Sequence, residues 1–291
     1  MTLSRRRFLI ISASFALTPK IASAQTWKGR AFGADVSLTI RGANEPAKAA
    51  LAEARRVISQ VESLFNLYDS TSALSRLNAT GELLQPAPQF LELMRAANNA
   101  HAITDGLFDP SIQPLWKALA EGRSPTAAID AIGWERVRFG ARAVRLEKAQ
   151  ELTFNGIAQG FATDLVTEAL RSHGLENALV NIGEYRSLGG PWQLALRDPI
   201  HGDLGMRTLR GGAIATSSPD TTPLGPNGHI LHRSAQPKWS SVSVEAATAT
   251  LADSLSTAMV LASRDEIEVM RKKVEISRIT LVDQSGDLIT L

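Results

Sequence analysis

Cysteine is absent from the 291-residue chain, and that one omission removes disulfides, thiolate metal sites, a cysteine nucleophile and a lipoprotein anchor together. Any metal must be held by oxygen or imidazole donors. Charge of one sign is also missing: 31 basic and 29 acidic residues leave a formal +2, which provides no basic field for nucleic acid. The one early apolar stretch, Ile10 to Leu17, is far short of the ~20 residues a membrane span requires. Neither a G-x-G-x-x-G fingerprint nor a Walker A loop occurs, and no repeat or low-complexity tract is present.

What is present begins with an address. Ser4-Arg5-Arg6-Arg7-Phe8-Leu9 fits the S-R-R-x-F-L pattern of twin-arginine export signals, and Ala22-Ser23-Ala24 supplies a small-residue cleavage site. The expectation is a signal peptide over residues 1–24 and a mature domain over 25–291 that works in the periplasm.

Periodicity gives a strand over Ala31 to Ile40, then a helix opened by Pro46 with Val57, Val61, Leu64 and Phe65 on one face. Ser72 to Asn78 reads as a short polar-apolar segment and Pro88 to Ile103 as a helix; between Pro110 and Gly133 the spacing of Ile112, Leu115, Trp116 and Leu119 predicts another, with Gly122 and Pro125 as punctuation. Strands are expected at Val137 to Phe139, Ala143 to Leu146, Leu152 to Phe154, Ala178 to Ile182, Gln193 to Leu196, Ala213 to Ala215, Val242 to Val244 and Ile279 to Val282. Helices are expected from Ala158 to His173, from Ala252 to Ser263 and from Asp265 onward. Without a regular βαβ rhythm, the pattern predicts a single compact α+β domain of mixed sheets and helices.

Four polar, glycine-containing clusters interrupt this pattern, as site-bearing loops do. Thr104-Asp105-Gly106-Leu107-Phe108-Asp109-Pro110 is, read alone, equally turn chemistry. Asn155 to Asp164 sets two glycines between a strand and a helix start, where free N–H groups and the helix dipole favour a phosphate; a purely structural turn is the alternative. Asp253 and Thr257, four apart on a helix, share a face and can point a carboxylate and a hydroxyl at a hard cation, although Asp253 is also a fair N-cap. Asn227 to His232 carries imidazoles at His229 and His232, the spacing that opens a zinc site, but no third strong ligand is near.

In order and spacing these segments resemble the ApbE family of FAD:protein FMN transferases. Leu67-Tyr68-Asp69 with Ser75 to Asn78 is similar to the family's Y-D-x-x-S-x-L-x-x-L-N. Thr104 to Pro110 is similar to T-D-G-x-F-D-P, Gly156 to Asp164 to G-I-A-K-G-Y-A-V-D, and Leu179 to Gly183 to L-V-N-I-G-G. Ala215-Thr216-Ser217 is similar to A-T-S-G, Gly228-His229-Ile230 to the H-I-I-D-P segment, and Ala252-Asp253 with Thr257-Ala258 to A-D-x-x-x-T-A.

The resemblance implies an ApbE (T-fold-like) architecture and transfer of FMN from FAD to a Thr or Ser hydroxyl of a partner, releasing AMP. It implies Mg²⁺ held by Asp253, Thr257 and the Ala162 carbonyl, with Asp253 and His229 catalytic. FAD, as substrate, would meet Tyr68, Leu107, Phe108, Asp109, Gly156, Gln159, Gly160, Asp164, Gly183 and Thr216. Several positions depart from the family pattern: Gln159 for lysine, Glu184 for the second glycine, Ser218 for glycine and His232 for aspartate. The first two, with the export signal, look like the NosX-like branch tied to nitrous oxide reductase maturation, whose acceptor is a membrane-bound, NosR-like flavoprotein. A catalytically weakened FAD-binding or delivery protein and an FAD pyrophosphatase are the alternatives.

Overall fold

The computed structural model describes residues 24–42, 44–224 and 228–291. Residues 1–23 of the expected signal segment and Asn227 lie outside them, and Ala24, its expected last residue, opens the first strand. The first described element is a hairpin, β1 (Ala24–Ala31) and β2 (Ala34–Arg41). Its tight turn sets Phe32 and Gly33 at φ 52° and 76°, the doubly left-handed geometry that matches strand twist in two-residue loops. The sequence reading gave a single strand from Ala31, because β1 alternates apolar Ala and Trp27 with polar residues beside the expected cleavage site.

Next come α1 (Asn44–Phe65), α2 (Ala73–Thr80), β3 (Glu82–Leu84) and α3 (Pro88–Ile103). Val57, Val61 and Phe65 on α1 are buried, as the apolar stripe requires. Ser72 to Asn78, left without a type by its composition, is largely helix, because the Ser72 hydroxyl accepts the Ser75 N–H and caps α2. The helix expected between Pro110 and Gly133 is α4 (Gln113–Ala120), entered through a 3₁₀ turn at Pro110–Ile112; Gly122, at φ 66°, and Pro125 separate it from α5 (Thr126–Asp130). Then follow β4 (Arg138–Phe139) and β5 (Ala143–Arg145). Leu152 to Phe154, expected as a strand, joins no ladder: Leu152 N–H donates to the Asn78 side chain and Thr153 N–H to the Pro110 carbonyl.

The rest of the chain holds α6 (Ala158–Ser172), β6 (Ala178–Asn181), β7 (Tyr185–Leu188), β8 (Trp192–Asp198), β9 (Gly202–Leu209) and β10 (Ala213–Ser217). After these come β11 (Ser241–Ala246), α7 (Ala249–Met259), α8 (Arg264–Lys273), β12 (Arg278–Val282) and β13 (Leu288–Thr290). The helix expected over Ala252 to Ser263 starts three residues earlier, because Thr248 caps it by accepting the Leu251 N–H. Asp253 therefore sits inside α7 and is not its N-cap.

Eight strands form one sheet in the order β1-β2-β6-β7-β10-β11-β12-β13, every neighbouring pair antiparallel. One apolar cluster joins Leu38 and Val180 of this sheet to Phe65, Phe90, Phe154 and Phe161; the rings of Phe65 and Phe90 stack 5.1 Å apart. A second joins Val244 and Leu281 to Leu255 and Ile267 from α7 and α8. The β8–β9 hairpin packs Trp192, Leu194 and Leu196 against Leu179, Tyr185 and Ile214, whose neighbours along the strands serve the helical side. The molecule is a single α+β domain with α6 and α7 packed side by side, and the cleft opens where the N-terminal turn of α6 meets the second half of α7.

Candidate active site

Gly160 lets the two helices meet. A Cβ there would lie 2.3 Å from the Ala249 carbonyl oxygen and 2.8 Å from the Asp253 Cβ. The close approach brings the Gly160 N–H to 3.0 Å from Asp253 Oδ2, a bond between groups 93 positions apart. One turn further along α7, a Cβ on Gly156 would fall 2.8 Å from the Thr257 hydroxyl oxygen. Asp253 and Thr257 do share a face, and the Ser217 hydroxyl at the end of β10 lies 3.2 Å from that of Thr257 and 2.9 Å from that of Ser256.

The same cleft receives the end of β6. Gly183, at φ +94°, presses against the Gln159 amide, leaving no room for a side chain. Glu184 follows, its Oε2 accepting the Thr216 N–H at 3.1 Å. Gln159 is 6 % exposed, and its Nε2 has no hydrogen-bond partner among the described residues. The lining runs from these residues to Leu107, Phe108 and Asp109 on one wall and His229 on another, around about 1080 Å³ that includes the open mouth. Asp109 holds its own wall in place, accepting the N–H and hydroxyl of Ser111.

His229 donates from Nδ1 to the Pro219 carbonyl at 2.9 Å. A carbonyl can only accept, so the proton belongs on Nδ1, and Nε2 is the basic nitrogen of the neutral ring. His232 is half-buried between two loops: Nδ1 accepts the Ala235 N–H of its own loop at 3.0 Å, and the ring lies against the Gly106 backbone, near Asp109 and His101. The two imidazoles thus serve different carbonyl and amide partners, and no group of three His, Asp or Glu able to hold a metal occurs among the described residues. The i, i+3 zinc reading fails on that geometry.

Burial dominates the carboxylates. It pushes Asp253 up to about 7, against the pull of the Gly160 N–H and with a further push from the Asp164 charge. Glu184 is raised well above its ordinary value by burial first and by the Asp253 charge second, with the Thr216 N–H opposing. Among the described residues lining the cleft there are three carboxylates, Asp109, Glu184 and Asp253, one histidine, and no lysine or arginine. The donors near Asp253 are hard oxygens, from a carboxylate and the hydroxyls of Thr257 and Ser217, a set suited to Mg²⁺ and ill-suited to a soft metal. An anionic substrate must bring or find its counter-charge there.

Of the residues named from sequence, Leu107, Phe108, Asp109, Gly156, Gln159, Gly183, Thr216, His229, Asp253 and Thr257 line this one cleft. Tyr68, 67 % exposed, stands on an adjoining groove that shares Trp116 and Asn155 with it. Gly160 sits behind the lining as a helix contact, and Ala162 lies deeper in α6, fully buried. Asp164 is committed elsewhere: its oxygens accept the N–H groups of Ala249 and Thr250 and pair with Arg186 at 2.9 Å. Glu184 and Ser217 were not expected as site residues. The only sequence signal for Glu184 was an acidic residue directly after the glycine of Asn181-Ile182-Gly183.

The fold that carries this cleft is shared with solved ApbE structures. The chain belongs to the ApbE family, whose model matches residues 32–279. Its curated relatives include a protein of Haemophilus influenzae named FAD:protein FMN transferase, 25 % identical over 76 % of this chain and 75 % of the relative. One of the same name from Vibrio cholerae is 27 % identical over 50 % of each chain, so the match spans only half the length of that relative. The crystal structure of the ApbE protein of Thermotoga maritima superposes with a TM-score of 0.81 over 92 % of this chain and 96 % of that one; at 23 % identity this speaks for the fold.

Proposed function

We propose that this protein transfers FMN from FAD to a threonine or serine hydroxyl of a partner flavoprotein, with Mg²⁺ bound and AMP released. One observation carries the proposal: a cleft rich in oxygen donors, with Asp253 and Thr257 on one helical face, has no cationic side chain in its lining to balance a pyrophosphate. Bound Mg²⁺ would neutralise charge developing on the phosphate oxygens. The chain's own residues do the rest. Asp253 and Thr257 offer the oxygens that hold the cation, and the Gln159 amide offers an unused donor to a phosphate oxygen. The acceptor hydroxyl oxygen bonds to the FMN phosphorus as the bond to the bridging oxygen breaks. AMP leaves with that oxygen, and the hydroxyl proton passes to His229 Nε2.

We further propose export through the twin-arginine route, work in the periplasm, membership of the NosX-like branch, and a membrane-bound or periplasmic acceptor of the NosR-like kind. The signal sequence and the Gln159 and Glu184 substitutions motivate this reading. A delivery protein that binds FAD without turnover is the second reading, favoured by the neutral Gln159 amide. Purified mature protein incubated with FAD, Mg²⁺ and a threonine-containing acceptor should yield AMP and a fluorescent acceptor, and Asp253→Ala should lose at least a hundredfold in rate. FAD that binds and stays intact favours delivery; FMN and AMP in the absence of acceptor indicate hydrolysis.

A further inference from the structure

Glu184 has no role in the function proposed above, yet it lines the same cleft. Two carboxylates are buried there, Asp253 at 4 % and Glu184 at 7 % exposure. They are built alike. Each gives one oxygen to a backbone N–H, Gly160 for Asp253 at 3.0 Å and Thr216 for Glu184 at 3.1 Å. The other oxygen of each takes no hydrogen bond among the described residues.

Burying two like charges together is costly unless a counter-charge joins them, and no lysine or arginine lines the cleft. The nearest described guanidinium on β7, Arg186, is spent on Asp164 and Glu168. A third group makes the same demand with opposite polarity: the Gln159 Nε2, on a side chain 6 % exposed, lines the cleft as a donor without an acceptor. Unused acceptors and an unused donor lining one cleft fit a cation with an anion beside it.

We infer that Glu184 is a second carboxylate ligand of the cation site, which lets this protein hold a divalent cation before any nucleotide arrives. The inference rests on the transferase reading of the cleft and adds an order of binding to it. A site with one carboxylate and neutral hydroxyls leaves a hard dication dependent on substrate phosphates, as Mg²⁺ sites commonly are. A second carboxylate raises affinity through ligand charge and removes that dependence. Gln159 then meets the phosphate that arrives second. Glu184→Gln isolates the charge, since the amide oxygen can still accept the Thr216 N–H.

The test is Mn²⁺ binding to the nucleotide-free full chain, followed by the electron paramagnetic resonance of free Mn²⁺ and repeated with FAD present. Wild type should bind Mn²⁺ without FAD. Glu184→Gln should bind at least tenfold more weakly without FAD, with a clearly smaller loss when FAD is present, and thermal denaturation should show the metal-free variant to be at least as stable as wild type, since it no longer buries a second carboxylate. Asp253→Ala should lose binding in both conditions. Wild type that binds Mn²⁺ only with FAD, or Glu184→Gln that binds like wild type without it, overturns the inference and leaves the transferase reading intact. Asp253→Ala that binds normally with FAD overturns the transferase reading of the cleft instead. Should Glu184→Gln not fold, the wild-type measurement without FAD decides by itself.

Discussion

Asp253 shows how one residue's setting produces a measurable pH response. Its carboxyl is raised to about 7 in the folded protein, chiefly by burial, whereas an unfolded chain titrates it near the ordinary value of about 3.9. Between those limits the metal-free native state holds a proton that the unfolded chain has lost, so stability is complete below about pH 4 and declines as pH rises toward 7, by up to about 1.4 kcal/mol per unit. In EDTA, the melting temperature should fall from pH 5 to pH 7.5 in wild type and fall less in Asp253→Asn. Equal slopes in the two proteins would refute this. Individual residues were only partly legible in the sequence. Asp253 and Thr257 could be paired by helical spacing alone, but Asp164, four residues beyond Gly160, looked like a nucleotide contact because nothing local announces that its partners are at 249 and 250. Glu184 was unreadable for the same reason, since its burial comes from strands that meet only in the folded sheet.

At the level of elements, Asp164 is the joint between α6, which carries it, and α7, whose first N–H groups it accepts, while Arg186 on β7 braces it. Helix starts leave such donors without internal partners, and this carboxylate meets them with its charge on the favourable end of the dipole. The side chains of the Asp164–Arg186 pair are only 14 % and 11 % exposed. Asp164→Ala should therefore cost roughly 2–4 kcal/mol, since it strands a largely buried arginine as well as two amides, and chemical denaturation with an unchanged slope checks it. Because α7 carries Asp253, cation affinity should weaken in the same variant. Helices with long apolar stripes were read nearly to the residue, α3 in full. Strands with buried apolar positions such as β2, β6, β8, β11 and β12 were read, and β1, β3, β7, β9 and β13, which are short or largely exposed, were missed. Leu152 to Phe154 has a strand's composition, but its backbone partners are a side chain and a lone carbonyl, which composition does not encode.

For the whole molecule, the missing βαβ rhythm made the α+β class legible. Strand order was not, because β2 pairs with β6 across the entire segment holding α1 to α6, and a pairing of that span leaves no local pattern. The cleft inherits this topology: its Leu107–Trp116 wall belongs to that intervening segment and its Asp253–Thr257 floor to the last quarter of the chain. A ligand that binds only the folded form stabilises it by about 2.7 kcal/mol at a hundredfold excess over Kd. Millimolar Mn²⁺ at pH 7.5 should accordingly raise the melting temperature of wild type by several degrees, and EDTA should reverse the rise. The contact between Gly160 and Ala249 also sets a clock. Asp253 is synthesised 93 residues after the Gly160 amide that it accepts, so a nascent chain that has not yet reached α7 lacks the carboxylate on which the cation site is built.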